Sequence, residues 1–250
     1  CRRLRADMPD KTSVLLSNIH RESSRRHYGE RRWRDTHIGV TGPLARQAHE
    51  AFRALWQERP WSPGPEAEPA SAVVLPNKSP DCEHRLRCIF AAMFGSARRR
   101  IDLTTPYFVP DEVTQRALIE AAERGVRVRV LVPHQGDVPP VRWIARGIYT
   151  RLMRHGVAVY GYRPRLLHAK TVAVDGDWVT VGTANLDYRS LFVNHEINLC
   201  ARDPGLAADL EEQFEADLAE SEAFTAAGIR RGSLADRALA PVAWAARRWL

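Results

Sequence analysis

Five residues at fixed spacing form the strongest chemical signal in the sequence. His168 and Lys170 are separated by one residue, and Asp175, Gly182 and Asn185 follow them. Alternate residues of a β-strand point to the same face, so the histidine and the lysine would project side by side. An imidazole can move a proton or attack phosphorus near neutral pH, and an adjacent ammonium neutralises phosphate oxygens. The spacing therefore predicts a phosphate site.

The segment after Lys170 predicts a hairpin that returns to the same place. Residues 175–177 are a turn signal between two apolar runs. The returning strand would bring Gly182, Thr183 and Asn185 beside the first strand, where glycine permits close approach and an asparagine amide can donate to phosphate oxygens. The plainer interpretation is a half-buried hairpin with one structural histidine. Five residue types at fixed spacing favour the phosphate site.

Composition limits the class of protein. The chain has 250 residues, of which 44% are hydrophobic, so it can bury one large core or two modest ones. Its formal net charge of +7 favours a polyanionic partner, either an anionic membrane surface or nucleic acid. No apolar run is long enough to span a membrane. The four cysteines lack metal-ligand spacing, which indicates reduced thiols in a cytoplasmic or cytoplasm-facing protein.

The order of elements predicts an α/β protein. Residues 71–170 alternate short apolar runs with amphipathic segments, which is typical of an α/β sandwich with a parallel or mixed sheet. We expect Ser79, Pro80 and Asp81 to cap the first helix of this part. A proline-rich stretch, 59–70, predicts a linker.

Two stretches share one order of elements. Each has an acidic residue, a strand, a glycine or proline turn and an amphipathic helix, beginning at Asp35 in the first and at Glu196 in the second. The repeated order therefore predicts that the chain consists of two related halves. We divide it into four parts: a remnant of a first half, 1–58; the linker, 59–70; a second half with the motif, 71–225; and a basic amphipathic tail, 226–250.

A first copy of the motif is degenerate. When Asn18 is aligned with Asn185, Cys1 stands at the histidine position and Arg3 at the lysine position. The first residue is also not Met, which indicates a fragment or a processed chain. Asn18 and Asp35 are the first-half candidates that survive, and with its histidine missing we expect Asp35 to be structural.

The motif resembles the HKD motif of the phospholipase D superfamily. The stretches 105–112 and 186–196 are similar to bacterial cardiolipin synthases within that superfamily. The resemblance implies two pseudo-repeated α/β sandwich halves and a phosphatidyltransferase that joins two phosphatidylglycerol molecules. It implies no metal or organic cofactor.

The resemblance also implies residue roles. One motif histidine forms a phosphohistidine, and the other, here His168, is the acid and base. Glu196 would accept a hydrogen bond from His168, and Asp175 would support the motif. The remaining candidates would bind the phosphate or face the lipid. The phosphate-binding candidates are Lys170, Gly182, Thr183 and Asn185, and the lipid-side candidates are Tyr107 and Phe108.

The missing first histidine predicts weak or no transferase activity for a monomer. A homodimer that pairs two copies of His168, as in single-motif members of the superfamily, could supply the second histidine. We expect a protein peripheral to the cytoplasmic side of the membrane, with anionic phospholipid as its partner. Two alternatives remain open: a nuclease of the same fold, with nucleic acid as the less favoured partner, and a non-catalytic membrane-binding remnant.

Overall fold

Short β-branched runs form the strands of the molecule, as their composition predicts. The structure is a computed structural model that describes residues 3–4, 13–16, 21–63, 71–80 and 82–230, with the first two ranges described as backbone only. In that part of the chain the strands are β1 Arg3–Leu4, β2 Ser13–Leu16, β3 Ile38–Thr41, β4 Ala72–Pro76, β5 Arg100–Thr104, β6 Phe108–Val109, β7 Arg127–Pro133, β8 Ala158–Tyr162, β9 Thr171–Val174, β10 Trp178–Gly182, β11 Leu186–Asp187, β12 Ile197–Arg202 and β13 Ser221–Ala223.

One mixed sheet dominates the described residues. Its strand order is β13-β8-β7-β5-β9-β10-β12-β4. Strands β5, β7 and β8 are parallel, and the strands outside them pair antiparallel. The predicted α/β fold with a mixed sheet is confirmed.

Helices cover both faces of this sheet. Val172 and Val174 of β9 pack in the large core beneath the helices that lie between β4 and β8, while Ala173 packs with Ala207 on the other face. Neighbouring residues of one strand therefore serve opposite layers. The helices are α1 Arg25–Tyr28, α2 Pro43–Trp56, α3 Arg85–Ser96, α4 Glu112–Glu123, α5 Pro139–Arg154, α6 Pro204–Ala219 and α7 Ala226–Arg230.

The predicted motif hairpin forms between β9 and β10. Its turn has positive φ at Asp175 (57°) and Gly176 (77°), which suits a tight hairpin turn. Val181 pairs with Thr171, and the Gly182 N–H donates to the Lys170 carbonyl oxygen. The returning strand thus reaches the motif, as the sequence predicts.

The first-half remnant shares a core with the rest of the chain. Ile38 and Val40 of β3 and Ala45 of α2 pack with Val74, Val181 and Leu199 of the large sheet. The equivalence of β3–α2 and β12–α6 is visible in the backbone, since each strand leads into a helix that begins with proline. The four-part division of the chain stays a prediction.

One local prediction is wrong. Helix α3 begins at Arg85 with His84 as its N-cap, because Ser79 and Cys82 hydrogen-bond each other in a separate turn upstream. Asp81 lies outside the described residues. The proposed alignment of the first motif stays a prediction, since Cys1 and Asn18 also lie outside the described residues.

Parts of other predictions lie outside the described residues. These are Asn18, residues 64–70 of the linker and the tail after Arg230. Across the ranges that are described, no helix is both long enough and apolar enough to cross a membrane.

Candidate active site

A pairing between two remote segments positions His168. The Arg34 N–H donates to the Leu166 carbonyl at 2.8 Å, and the His168 N–H donates to the Arg34 carbonyl at 2.7 Å. The Arg34 guanidinium also forms a buried ion pair with Asp217 of α6, with 2.7 Å between Nη2 and Oδ2. The first-half remnant is therefore held against the motif.

Asp35 is the acid that contacts the motif histidine. Its Oδ2 lies 2.9 Å from His168 Nδ1, and each of the two side chains is 7% exposed. The Trp33 ring lies beside the imidazole, with 4.8 Å between ring centroids. A carboxylate that accepts the Nδ1 proton orients the ring and assigns the basic lone pair to Nε2. The expectation that Asp35 has no histidine partner is wrong, because its partner lies in the other half.

Glu196 has different partners from those predicted. Its carboxylate accepts hydrogen bonds from Thr183 Oγ1 at 2.5 Å, Ser190 Oγ at 2.9 Å and Asn194 Nδ2 at 3.2 Å. A π-helical turn at Arg189–Val193 folds the last two donors back onto the carboxylate. The prediction that Glu196 orients His168 is wrong in the described structure, because Asp35 occupies that role.

Lys170 lies buried beside the histidine. Its Nζ donates to the His168 carbonyl at 2.6 Å and lies 3.1 and 3.2 Å from the ring nitrogens Nδ1 and Nε2. Burial lowers the pKa of Lys170 to about 8, and the charges of Asp35, Glu196 and Asp187 oppose that shift. Lys170 is therefore still mostly protonated at neutral pH, and an anionic phosphate would favour its charged form further.

Asp187 is a site residue that the sequence analysis missed. Burial raises its pKa to about 6, the Ser190 N–H opposes the rise, and the charge of Glu196 adds to it. A hydrogen bond from Asn185 also favours the ionised carboxylate, and Asn185 Oδ1 is buried with no partner among the described residues. The stretch 186–196 contains Asp187, but the spacing of its residues gives no sign that Asp187 is a neighbour of Lys170.

Gly182 allows two strands to approach closely. A methyl group there would fall inside contact distance of the Ile197 carbonyl oxygen and the Asn198 side chain. The predicted role of glycine in close approach is therefore structural. Binding of phosphate by Gly182, Thr183 and Asn185 stays a prediction.

Asp175 supports the hairpin from its turn. Its carboxylate accepts the N–H groups of Arg98, Arg99 and Arg100 at 2.8, 2.8 and 2.9 Å. Partial burial opposes ionisation, but these N–H groups hold the pKa of Asp175 below its usual range. Asp175 thus fixes the motif hairpin to the start of β5, and its contacts are with backbone rather than with His168 or Lys170.

The two lipid-side candidates occupy different environments. Phe108 is 1% exposed and stacks on Tyr149 in the core, so its predicted contact with lipid is wrong. A half-buried Tyr107 donates its hydroxyl to Asp137 at 3.0 Å. Burial, followed by the charge of Asp137, raises the pKa of Tyr107. The lipid contact of Tyr107 stays a prediction.

The arrangement is suited to proton transfer at a phosphate. A carboxylate contacts Nδ1 of the imidazole, and a buried ammonium provides positive charge beside both ring nitrogens. Across the described ranges, no group of three or more His, Cys, Asp or Glu residues is arranged to hold a metal ion.

Comparison with known proteins identifies related sequences. The family described as cardiolipin synthase, PLD-like domain, matches residues 90–218. A probable cardiolipin synthase from Bacillus subtilis is 34% identical over 82% of this chain and 43% of its own length. Cardiolipin synthase A from Pseudomonas aeruginosa is 38% identical over 77% of this chain and 41% of its own length. The chain thus spans less than half of the curated relatives it matches.

Solved structures share the fold at lower identity. Phosphatidylserine synthase from Haemophilus influenzae has a TM-score of 0.59 at 17% identity, covering 84% of this chain and 56% of that one. Nuc from Salmonella typhimurium, a phospholipase D family member, has a TM-score of 0.55 at 20% identity, covering 62% of this chain and 99% of that one. With the fold shared and the family matched over residues 90–218, the chain belongs to the PLD-like domain family of cardiolipin synthases.

Proposed function

We propose that the chain carries the acid and base half of a phosphatidyltransferase. Its reaction would join two phosphatidylglycerol molecules into cardiolipin and release glycerol. The observation that supports this proposal most strongly is the buried arrangement of Asp35, His168 and Lys170. The names of the relatives support the choice of lipid.

His168 would transfer a proton at Nε2. The nitrogen protonates the glycerol oxygen as the bond from phosphorus to that oxygen breaks, and it later removes a proton from the incoming hydroxyl. Asp35 stabilises the imidazolium that exists between these steps. Lys170 neutralises the non-bridging phosphate oxygens, and Thr183 and Asn185 would contact the same phosphate.

The covalent step requires a second histidine as nucleophile. That nucleophile would form a nitrogen–phosphorus bond as glycerol leaves and would release the phosphatidyl group to the second lipid. We propose that two copies of the chain combine to supply it, so that activity depends on dimer formation. The charge of +7 supports peripheral binding at an anionic membrane, and we assign it to the cytoplasmic face.

Turnover of phosphatidylglycerol vesicles by the purified chain tests this function. Cardiolipin and glycerol would be quantified by mass spectrometry over a range of protein concentrations. We expect cardiolipin formation that rises more steeply than protein concentration and that His168→Asn abolishes. His155→Gln is the matched control, since His155 also contacts a carboxylate, Glu123, but is 43% exposed at the C-terminal end of α5.

The outcomes separate the alternatives. Equal product from the native chain and His168→Asn would reject the enzymatic proposal and favour a membrane-binding remnant. Hydrolysis of single-stranded DNA that depends on His168, without cardiolipin formation, would favour a nuclease.

A further inference from the structure

Two clefts lie at equivalent places in the two halves. One lies along α2 and reaches Glu196, and the other lies along α6 and reaches Asp35. The two acids are 161 positions apart in the chain, and the same shift relates the helix residues that line the clefts. The equivalent pairs are Ala48 and Asp209, Ala51 and Glu212, Phe52 and Gln213, and Leu55 and Ala216.

The two clefts differ in chemistry. The α2 cleft has a volume of about 950 Å³, and its helix side is formed by Ala51, Phe52 and Leu55. The α6 cleft has a volume of about 480 Å³, with Glu212 and Gln213 at the equivalent positions. The helix wall of the α2 cleft is therefore apolar at positions where α6 has Glu212 and Gln213, although Leu206 and Leu210 also line the α6 cleft.

The α2 cleft exposes large apolar side chains. Phe52 is 59% exposed and Leu55 is 46% exposed, and Trp56, which stacks on Phe52, is 80% exposed. A contiguous apolar patch of this kind costs free energy in water and usually marks a binding surface. Polar substitutions at the equivalent positions of α6 show that the repeat itself does not require apolar residues here.

The inner end of the α2 cleft belongs to the candidate active site. Thr183 and Glu196 line it and are joined by a hydrogen bond of 2.5 Å. Gly182, the chain neighbour of Thr183, donates its N–H to the Lys170 carbonyl oxygen, so the cleft ends near the proposed phosphate position. Arg59 and Lys78 line the cleft together with Glu58 and Glu83, so its charged residues are mixed and the apolar wall is what suits an amphiphile.

We propose that the α2 cleft holds an acyl chain of the phospholipid whose phosphate lies at Lys170. This assignment rests on the proposed function, because it uses the same phosphate site. The apolar wall formed by Ala51, Phe52 and Leu55 takes the chain, and the end of the cleft at Thr183 leads to the phosphate at Lys170. The cleft volume falls within the range of small-molecule sites, about 300–1,000 Å³.

Chain-length dependence of binding tests the proposal without requiring turnover. The probes are lysophosphatidylglycerols of increasing chain length, kept below their critical micelle concentrations, and glycerophosphoglycerol, which has no acyl chain. Calorimetric titration of the full chain should show affinity rising by up to about fourfold per added methylene.

The matched variant copies the α6 cleft into the α2 cleft. Phe52→Gln with Leu55→Ala should lower affinity for the longest chain by about tenfold and flatten the chain-length dependence. Binding of glycerophosphoglycerol should not change. Val113→Gln, an apolar side chain that is 43% exposed on α4, is the control and should leave the dependence intact.

A second measurement uses the native chain. Trp61 lines the cleft, so lysophosphatidylglycerol with a brominated chain should quench its fluorescence, and Trp61→Phe should remove the quenched component. An unchanged chain-length slope in the double variant would overturn the proposal. The proposal would also be overturned if the double variant converted a dimer to a monomer and still bound lipid, because the cleft would then be a subunit interface. If the native chain formed no cardiolipin but its affinity still rose with acyl-chain length, the proposed function would be rejected and the cleft assignment would stand.

Discussion

The ends of the two halves have one backbone plan and two chemistries. In each, an acidic residue precedes a strand that leads through a turn into a helix beginning with proline. Asp35, in the first, bonds the motif histidine, whereas Glu196, in the second, bonds two hydroxyl groups and an amide. The acid of one half thus contacts the motif histidine of the other.

This crossing makes the segment at Arg34 and Asp35 part of the candidate site. Arg34 pairs with the backbone beside His168 and binds Asp217, so the same segment positions the histidine and fastens itself to α6. By the same logic, Glu196 stands where it could serve a motif histidine of a first half. The difference between the two halves can be tested by its effects on activity, on stability and on anion binding.

The largest expected effect concerns the two acids. Asp35→Asn should lower kcat for phosphodiester turnover by about 100-fold or more, since an orienting carboxylate is worth about 10²–10⁴ in rate. Glu196→Gln should lower kcat by less than Asp35→Asn does, because Glu196 does not bond His168. Steady-state kinetics on a soluble phosphodiester would measure both, and a larger loss for Glu196→Gln would contradict the assignment.

Substitutions at equivalent positions of the two helices should have very different effects on the free energy of unfolding. Asp217→Ala leaves Arg34 buried without its carboxylate and should lower the free energy of unfolding by about 3–5 kcal/mol. Trp56→Ala, at the equivalent position of α2, should change it by less than about 0.5 kcal/mol because Trp56 is 80% exposed. Urea unfolding of both variants measures the contrast, and equal losses would be inconsistent with it.

Alanine substitution of two strand glycines should give a similar contrast in stability. Gly182→Ala should destabilise the protein by about 1–3 kcal/mol, because the added methyl group meets the Ile197 carbonyl and Asn198. Gly39→Ala on β3 meets nothing within 4 Å and should be tolerated. Thermal unfolding of the two variants tests this, and a neutral Gly182→Ala would mean that β10 and β12 are farther apart than described.

Anion binding should weaken at alkaline pH. The pKa of Lys170 is lowered to about 8, so the ammonium is protonated below that pH and loses its proton as pH rises through it. A bound anion favours the protonated form, so sulfate affinity should change little between about pH 6, where Asp187 ionises, and about pH 8, and should fall by up to about tenfold per pH unit above that. Asp35→Asn and Glu196→Gln should both move this decline to lower pH, because both carboxylates favour the protonated lysine. Titration calorimetry across this pH range would show it, and a flat profile would exclude Lys170 as the ligand.

Local features of the fold could be predicted from the sequence, whereas contacts between distant segments could not. The hairpin followed from residues 175–177, because turn chemistry is encoded in neighbouring residues. Asp35 and His168 are separated by 133 positions, and no local pattern reports a contact that depends on how two segments pack. Phe108 was misjudged for a related reason, since an aromatic residue after a strand has the same sequence signal in a core as in a pocket.

The histidine hydrogen bond tests the central claim most directly. In nuclear magnetic resonance spectra, an Nδ1 proton held by a buried carboxylate gives a strongly downfield, slowly exchanging signal, which ¹⁵N-histidine labelling would assign to His168. We expect this signal in the native chain and in Glu196→Ala, and we expect its loss in Asp35→Ala. Retention in Asp35→Ala together with loss in Glu196→Ala would contradict the account.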